Sequence, residues 1–215
     1  RTLATYSYEL NNKKAPFDNV NIRKALNLSL DRNVITDKVL GQGQTPTYVF
    51  TPTYIEEGHL IQQPAYSKEP MAQRNEEAIK LLEEAGYSKA NPLKFSILYN
   101  TNENHKKVAI AAASMWKANT KGLIDVKLEN QEWKTYIDSR RAGRYDAARA
   151  GWNADYNQAT TFGNYFLSNS SNNTAKYANP EYDKAIAESY VATDAEGRAK
   201  AYAKAEEILA KDFGI

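Results

Sequence analysis

Between residues 93 and 150 the chain switches repeatedly between two periodicities, and no other feature of its 215 residues restricts the fold as much. LKFSILY (93–99) sets Leu93, Phe95 and Ile97 on one side of a strand, and IDVKLE (124–129) alternates in the same way. Between them Val108, Ala112, Met115 and Trp116 fall on one face of a helix spanning about 105–118. A short helix over about 133–141 follows, then YDAARA (145–150) as a strand entering a turn at Gly151. Strand–helix–strand–helix–strand with connections of this length predicts parallel strands joined by right-handed crossovers, an α/β chain with a central, mainly parallel sheet flanked by helices. Open sheets of this kind bind ligands outside the carboxyl ends of their strands. Residues 99–105 and 150–155 are both such ends, so they are expected on one rim.

The flanking segments are compatible with that core. ATYSYEL alternates, with Tyr6, Tyr8 and Leu10 on one side, and reads as a strand. After the loop NNKKAPFDN, the residues Ile22, Ala25, Leu26, Ser29 and Leu30 follow helical spacing. Asp31 can cap a second short helix that stops at Gly41. Residues 42–70, broken by Pro46, Pro52, Pro64 and Pro70, have no clean period and predict a long irregular segment. Ala78, Leu81, Leu82 and Ala85 mark a helix ending at Gly86, and two more helices are expected over 183–190 and 194–211.

Composition excludes several classes. Apolar residues at 42% and charged residues at 25% are globular proportions. The net charge of +2 comes from 28 basic and 26 acidic residues without blocks of either sign, which argues against a nucleic-acid binder. No apolar run approaches the ~18 residues of a membrane span. No leader peptide is visible, and Arg1 in place of methionine points to a trimmed chain. The absence of cysteine removes disulfides, thiolate metal sites and a cysteine nucleophile. With only His59 and His105, and no GxSxG, HExxH, Walker or GxGxxG pattern, neither a catalytic centre, a metal site nor a cofactor is expected. Fifteen tyrosines and three tryptophans against six phenylalanines favour half-buried surfaces, either structural or lining a binding cleft.

Within the expected rim lies RAGWNADYN, residues 149–157. Arg149 and Asp155 could neutralise each other in a bidentate salt bridge. Alternatively Asp155 takes a cationic group of a ligand and Arg149 an anionic one, with Trp152 as an apolar wall. The residues alone leave both readings open. His105, after TNEN at a helix start, and Trp133, just past a strand end, share the expected rim.

The run NQEWKTYIDSRRAGRYDAARAGWNADYNQATTF, with LYNTNENHKK before it and LSNSSNNTAKY after it, resembles the oligopeptide-binding receptors of bacterial ABC importers. TYSYELNNKKAPFDNVNIRKALNLSLDR and RNEEAIKLLEEAGY are similar to the same family, so the resemblance covers essentially the whole chain. It implies one lobe of a two-lobed periplasmic solute-binding protein of the type II, cluster C class. Residues 1–215 would be a single C-terminal peptide-binding lobe with an irregular segment at about 42–70. The other lobe and a small extra domain would be absent, and the two chain ends would lie near each other. By the same resemblance Asp155 accepts a peptide's α-ammonium group, while Arg149 and His105 lie where peptide carboxylates are met. Gly151 and Asn153 belong to the ammonium-binding motif, and Trp133, Arg140, Trp152, Glu9, Asn172 and Thr174 line side-chain pockets. Asn153 stands where relatives carry cysteine, and Leu40 where a carboxylate-binding basic residue is expected.

The function implied is capture of short peptides, largely independent of their sequence, for delivery to membrane permease and ATPase subunits. The receptor is then a monomer without enzymatic activity, cofactor or nucleic-acid partner. Its place would be the periplasm, or a lipid anchor at the outer face of the cell membrane in a Gram-positive source. The rival readings are a relative that binds muropeptide, metal–chelate or haem, and a hydrolase using Asp155 with Asp146 or Glu132.

Overall fold

Four strands form one sheet in a computed structural model that describes residues 2–215. They are β1 (Ala4–Leu10), β2 (Leu93–Asn100), β3 (Ile124–Gln131) and β4 (Ala147–Asn153), in the order β1-β4-β2-β3. β4, β2 and β3 run parallel, and β1 closes one edge antiparallel to β4. The helices are α1 (Val20–Leu28), the short α2 (Arg32–Val34), α3 (Met71–Glu84), α4 (Glu103–Asn119), α5 (Trp133–Ala142), the short α6 (Thr160–Gly163), α7 (Pro180–Val191) and α8 (Ala195–Asp212). The expected α/β architecture is therefore present, with a mixed rather than purely parallel sheet.

Connection order determines where the sheet opens. Helix α4 carries the chain from β2 to its neighbour β3, and α5 carries it back past β2 to β4. Two right-handed crossovers in opposite directions put their helices on opposite faces. The packing agrees: Ala109, Ala112 and Trp116 of α4 join Phe95 and Ile97 in one core, and Tyr136 and Ile137 of α5 join Leu98 and Ala148 in another. The direction reverses between β2 and β4, where such sheets leave a crevice at their carboxyl ends.

One strand boundary differs from the sequence expectation. β4 does not stop at residue 150 before a turn; it runs through Gly151 and Trp152 to Asn153. The cause is β1, whose Tyr6, Thr5 and Ala4 pair with Gly151, Trp152 and Asn153. A strand period read from apolar alternation ends where the apolar residues end, whereas the hydrogen-bonded ladder continues.

The irregular segment at 42–70 is irregular as expected, apart from a 3-10 turn at Ala65–Lys68. It is nonetheless anchored. Val49, Phe50, Ile55 and Ile61 are buried in a third core with Phe162, Phe166, Tyr182, Ile186 and Leu209. The fully buried Glu206 of α8 accepts hydrogen bonds from Phe50 N (3.1 Å), Thr51 N (2.7 Å) and Thr51 Oγ1 (2.7 Å). These donors hold the carboxylate low while burial raises its pKa, and burial is the larger effect.

A second buried acid ties the sheet to its neighbours. Glu9 is 1% exposed; it meets Arg140 Nη2 at 3.0 Å, Tyr165 Oη at 2.6 Å and Thr174 Oγ1 at 2.5 Å. Arg140→Ala would leave this carboxylate buried without a counter-charge, and should destabilise the chain by about 3–5 kcal/mol. Urea unfolding of the variant beside Glu9→Met/Arg140→Met is the check: the double variant should recover most of the loss.

Candidate functional site

β1 brings its N-terminal half to the carboxyl end of β4 because the two strands are antiparallel. In that ladder Tyr8 stands opposite Arg149 and Tyr6 opposite Gly151, and directly paired residues share a face. Tyr8 packs on Trp116 of α4 at 6.2 Å, which identifies this as the α4 face. Arg149 therefore points toward α4, and the guanidinium bends over Gly151: a Cβ built on Gly151 would come within 2.7 Å of Arg149 Nη2. Gly151 keeps that space open.

The guanidinium lies 5.0 Å from the centre of the Tyr6 ring, and Nη1 donates to Asn100 Oδ1 at 3.4 Å. Its Nε is buried without a partner. His105 enters from the first turn of α4, where Asn102 caps the helix by accepting from Asn104 N and His105 N. Its Nδ1 is 3.2 Å from Tyr6 Oη, and the two rings are 5.6 Å apart. Burial together with the Arg149 cation lowers the imidazole pKa to about 4, so His105 is neutral at pH 7. Burial pushes the Tyr6 hydroxyl up to about 12, partly opposed by Arg149. Tyr6 thus touches both basic groups. Sequence reading placed it only on a strand face, and its spacing gave no sign of this role.

These residues open onto a cavity of about 1060 Å³, at the upper end of the range for small-molecule sites. His105, Trp133, Arg149, Gly151, Trp152 and Asn153 all line it, so these rim residues come together, whereas Asp155 is not part of the lining. Trp133 stands 59% exposed at the start of α5. Trp152 faces the other side of the sheet from Arg149, where its Nε1 donates to Thr161 O at 2.8 Å and its ring packs on Tyr165.

Asp155 does not pair with Arg149. From Arg149 to Asn153 the chain is extended, and four residues of strand span roughly 13 Å. That is beyond salt-bridge reach, so no internal bridge accounts for the two charges. Asp155 is exposed beyond the strand end, its backbone N–H bonded to Thr161 Oγ1 at 3.2 Å.

Four of the expected pocket residues lie elsewhere. Glu9, Arg140 and Thr174 are satisfied by one another in the buried cluster and do not line the cavity, and Asn172 is exposed outside it. Glu9 faces away because strand alternation turns it opposite to Tyr8. Leu40 does line the cavity. The hydrolase pairing of Asp155 with Asp146 is ruled out by position: Asp146 precedes β4, bonded to Lys14 Nζ at 2.5 Å and Ser96 N at 3.0 Å, a whole strand from Asp155. Glu132 is exposed just before α5. No group of acidic or histidine residues suited to a metal ion occurs among the described residues. Nor is any helix there long and apolar enough to cross a membrane.

Residues 1–174 match the family described as bacterial extracellular solute-binding proteins, family 5 Middle. The periplasmic oligopeptide-binding protein OppA of Haemophilus influenzae is 97% identical over 215 residues, which is all of this chain and 40% of that protein. The crystal structure of Haemophilus influenzae OppA in complex with RPPGFSPFR superposes with a TM-score of 0.99, covering 100% of this chain and 42% of that one. The unliganded open form of the periplasmic murein tripeptide-binding protein MppA gives a TM-score of 0.93 at 41% identity, over 99% of this chain and 41% of its own. The chain thus spans about 40% of the length of the curated relatives it matches. With a family match over most of its length and the crevice of an α/β sheet lined as described, the chain belongs to the family 5 bacterial extracellular solute-binding proteins.

Proposed function

We propose that this chain is the C-terminal lobe of a two-lobed periplasmic receptor that captures short peptides and delivers them to an ABC importer without chemical change. The other lobe and a small extra domain lie outside residues 1–215. The observation that carries the reading is the pair of opposite charges on one rim that do not satisfy each other. A receptor for peptides of varied sequence must read what all peptides share, which is an ammonium group, a carboxylate and a main chain. Asp155 receives the ammonium group and Arg149 the carboxylate, with Trp133 and Trp152 as broad apolar walls. The relatives named as oligopeptide- and murein tripeptide-binding proteins support a peptide ligand.

In this reading His105 acts as a neutral donor. With Tyr6 Oη donating to Nδ1, the ring keeps its hydrogen on Nε2 and offers it to the carboxylate. Glu9, Arg140 and Thr174 hold the walls in place from behind. Gly151 leaves room beside the guanidinium.

Three outcomes follow for the complete receptor and for this lobe. Asp155→Asn in the complete receptor should weaken free-amine peptides by roughly 2–5 kcal/mol in isothermal titration, since the ammonium group would be enclosed without its counter-charge. An N-acetylated peptide should lose nothing further. A bound carboxylate raises the imidazole pKa above its free value of about 4, so binding takes up a proton; affinity should therefore rise as pH falls from 7 toward 5. In His105→Gln that rise should vanish, and a pH-independent affinity in the unaltered receptor would contradict the role given to the imidazole. The 215-residue chain alone leaves its charges hydrated, where attraction at ~4 Å amounts to only about 1 kcal/mol. It should bind mixed tri- and tetrapeptides no more tightly than about millimolar, and a micromolar constant would show that one lobe suffices.

A further inference from the structure

The cavity has a second wall, away from the strand rim, built by the end of α1, by α2 and by the segment around Tyr48. Arg32 lines it. Its guanidinium carbon sits over the Tyr48 ring, 4.1 Å from the ring centre. Nη1 and Nη2 donate to Asn27 O (3.3 Å) and Asn27 Oδ1 (3.0 Å). A guanidinium carries five N–H groups, so further donors are left along its edge. The neighbouring Tyr66 hydroxyl is pushed up by burial and pulled back by Arg32 and Arg74, which marks how close these cations lie to the lining.

Among the described residues no carboxylate comes within ion-pairing distance of Arg32. Nor does the lining supply a free one. Its single acidic residue, Glu206, is already engaged by Phe50 and Thr51. Arginines that only secure helix ends look different here. Arg23 and Arg74 also donate to backbone carbonyls at the ends of α8 and α1, but they are 8% and 2% exposed and absent from the lining. Arg32 alone of the three keeps its guanidinium at the cavity, half-buried and uncompensated, a state that favours an anion from outside the chain.

We propose that Arg32, held over the Tyr48 ring, is a second anion-reading position in this cavity, taking a ligand carboxylate at the α1 wall rather than at the strand rim. The inference rests on the peptide reading above, and the carboxylate is either a peptide's C-terminus or an acidic side chain. On this reading the two guanidiniums sort ligands by how far their negative charge lies from the ammonium group held at Asp155. It also offers a cation on the wall where Leu40 supplies none.

The test uses the complete receptor and alanine–lysine peptides from tri- to nonapeptide, each with a free and an amidated C-terminus. A parallel amidated series carries one internal glutamate or glutamine. For at least one length or glutamate position, the charged form should bind roughly ten- to a hundredfold more tightly than its neutral partner in isothermal titration. Arg32→Gln should remove that ratio while leaving ligands read at Arg149 unchanged, and Arg32→Lys should retain part of it. Loss in the C-terminal series or in the glutamate series identifies the source of the carboxylate. Undiminished discrimination in Arg32→Gln would overturn the inference, as would an equal loss for charged and neutral ligands, which a mere helix-end anchor predicts. Peptides that bind with discrimination unaltered sink this inference alone; no peptide bound by the unaltered receptor sinks the peptide reading with it.

Discussion

The antiparallel ladder between β1 and β4 is the constraint on which the rest of the site depends. It extends β4 past its apolar stretch, so that Gly151, Trp152 and Asn153 are held in an extended chain instead of a turn. It sets Tyr8 beside Arg149 and Tyr6 beside Gly151, and thereby stacks an aromatic ring under the guanidinium. A one-residue slip of β1 would send Tyr6 and Tyr8 to the face opposite Arg149, because side chains alternate strictly along a strand. Glu9, on the other face, would then lose Arg140. The buried cluster around Glu9 therefore fixes the register that the cavity needs, although it touches no ligand surface.

The chain distributes its charges in a consistent way. Buried or partly buried acids are matched internally: Glu9 with Arg140, Glu206 with backbone and hydroxyl donors, and Glu57 with Arg198 at 2.9 Å. At the cavity the opposite holds. Arg149 and Arg32 face it without carboxylates, His105 is held neutral by burial and by Arg149, and Asp155 stands apart at the end of the strand. Unmatched charge of this kind has a cost in a finished fold unless something else supplies the partner. Arg149 and Arg32 share one crevice, and under the peptide reading proposed above a ligand supplies their partner there.

The tyrosine excess divides along the same line. Tyr136, Tyr145, Tyr165, Tyr177 and Tyr182 are buried, and their hydroxyls reach Arg149 O, Thr174 O, Glu9, Asp212 and Gly163 O. They join apolar cores to backbone carbonyls and to the carboxylates of Glu9 and Asp212. Only a minority, with Tyr6 among them, stand at the rim. Composition signalled the excess but had no means of separating these two uses.

The sequence by itself determined the layers. The change between period-two and helical spacing over 93–150 specifies parallel strands with crossover helices, and hence which loops share the carboxyl rim. It also singled out Arg149, Asp155, His105, Trp133 and Trp152, because charged and large aromatic residues at strand ends are conspicuous against an apolar run. What only the tertiary structure decided was pairing. Antiparallel addition of β1, which brings Tyr6 to the rim, joins residues some 145 positions apart in the ladder, and no local period encodes it. The same holds for Glu9 with Arg140, separated by 131 residues, and for Glu206 with Thr51, separated by 155. Local spacing records which face a side chain takes within its own element; which element then covers that face is settled by packing and by the need to satisfy each buried polar group.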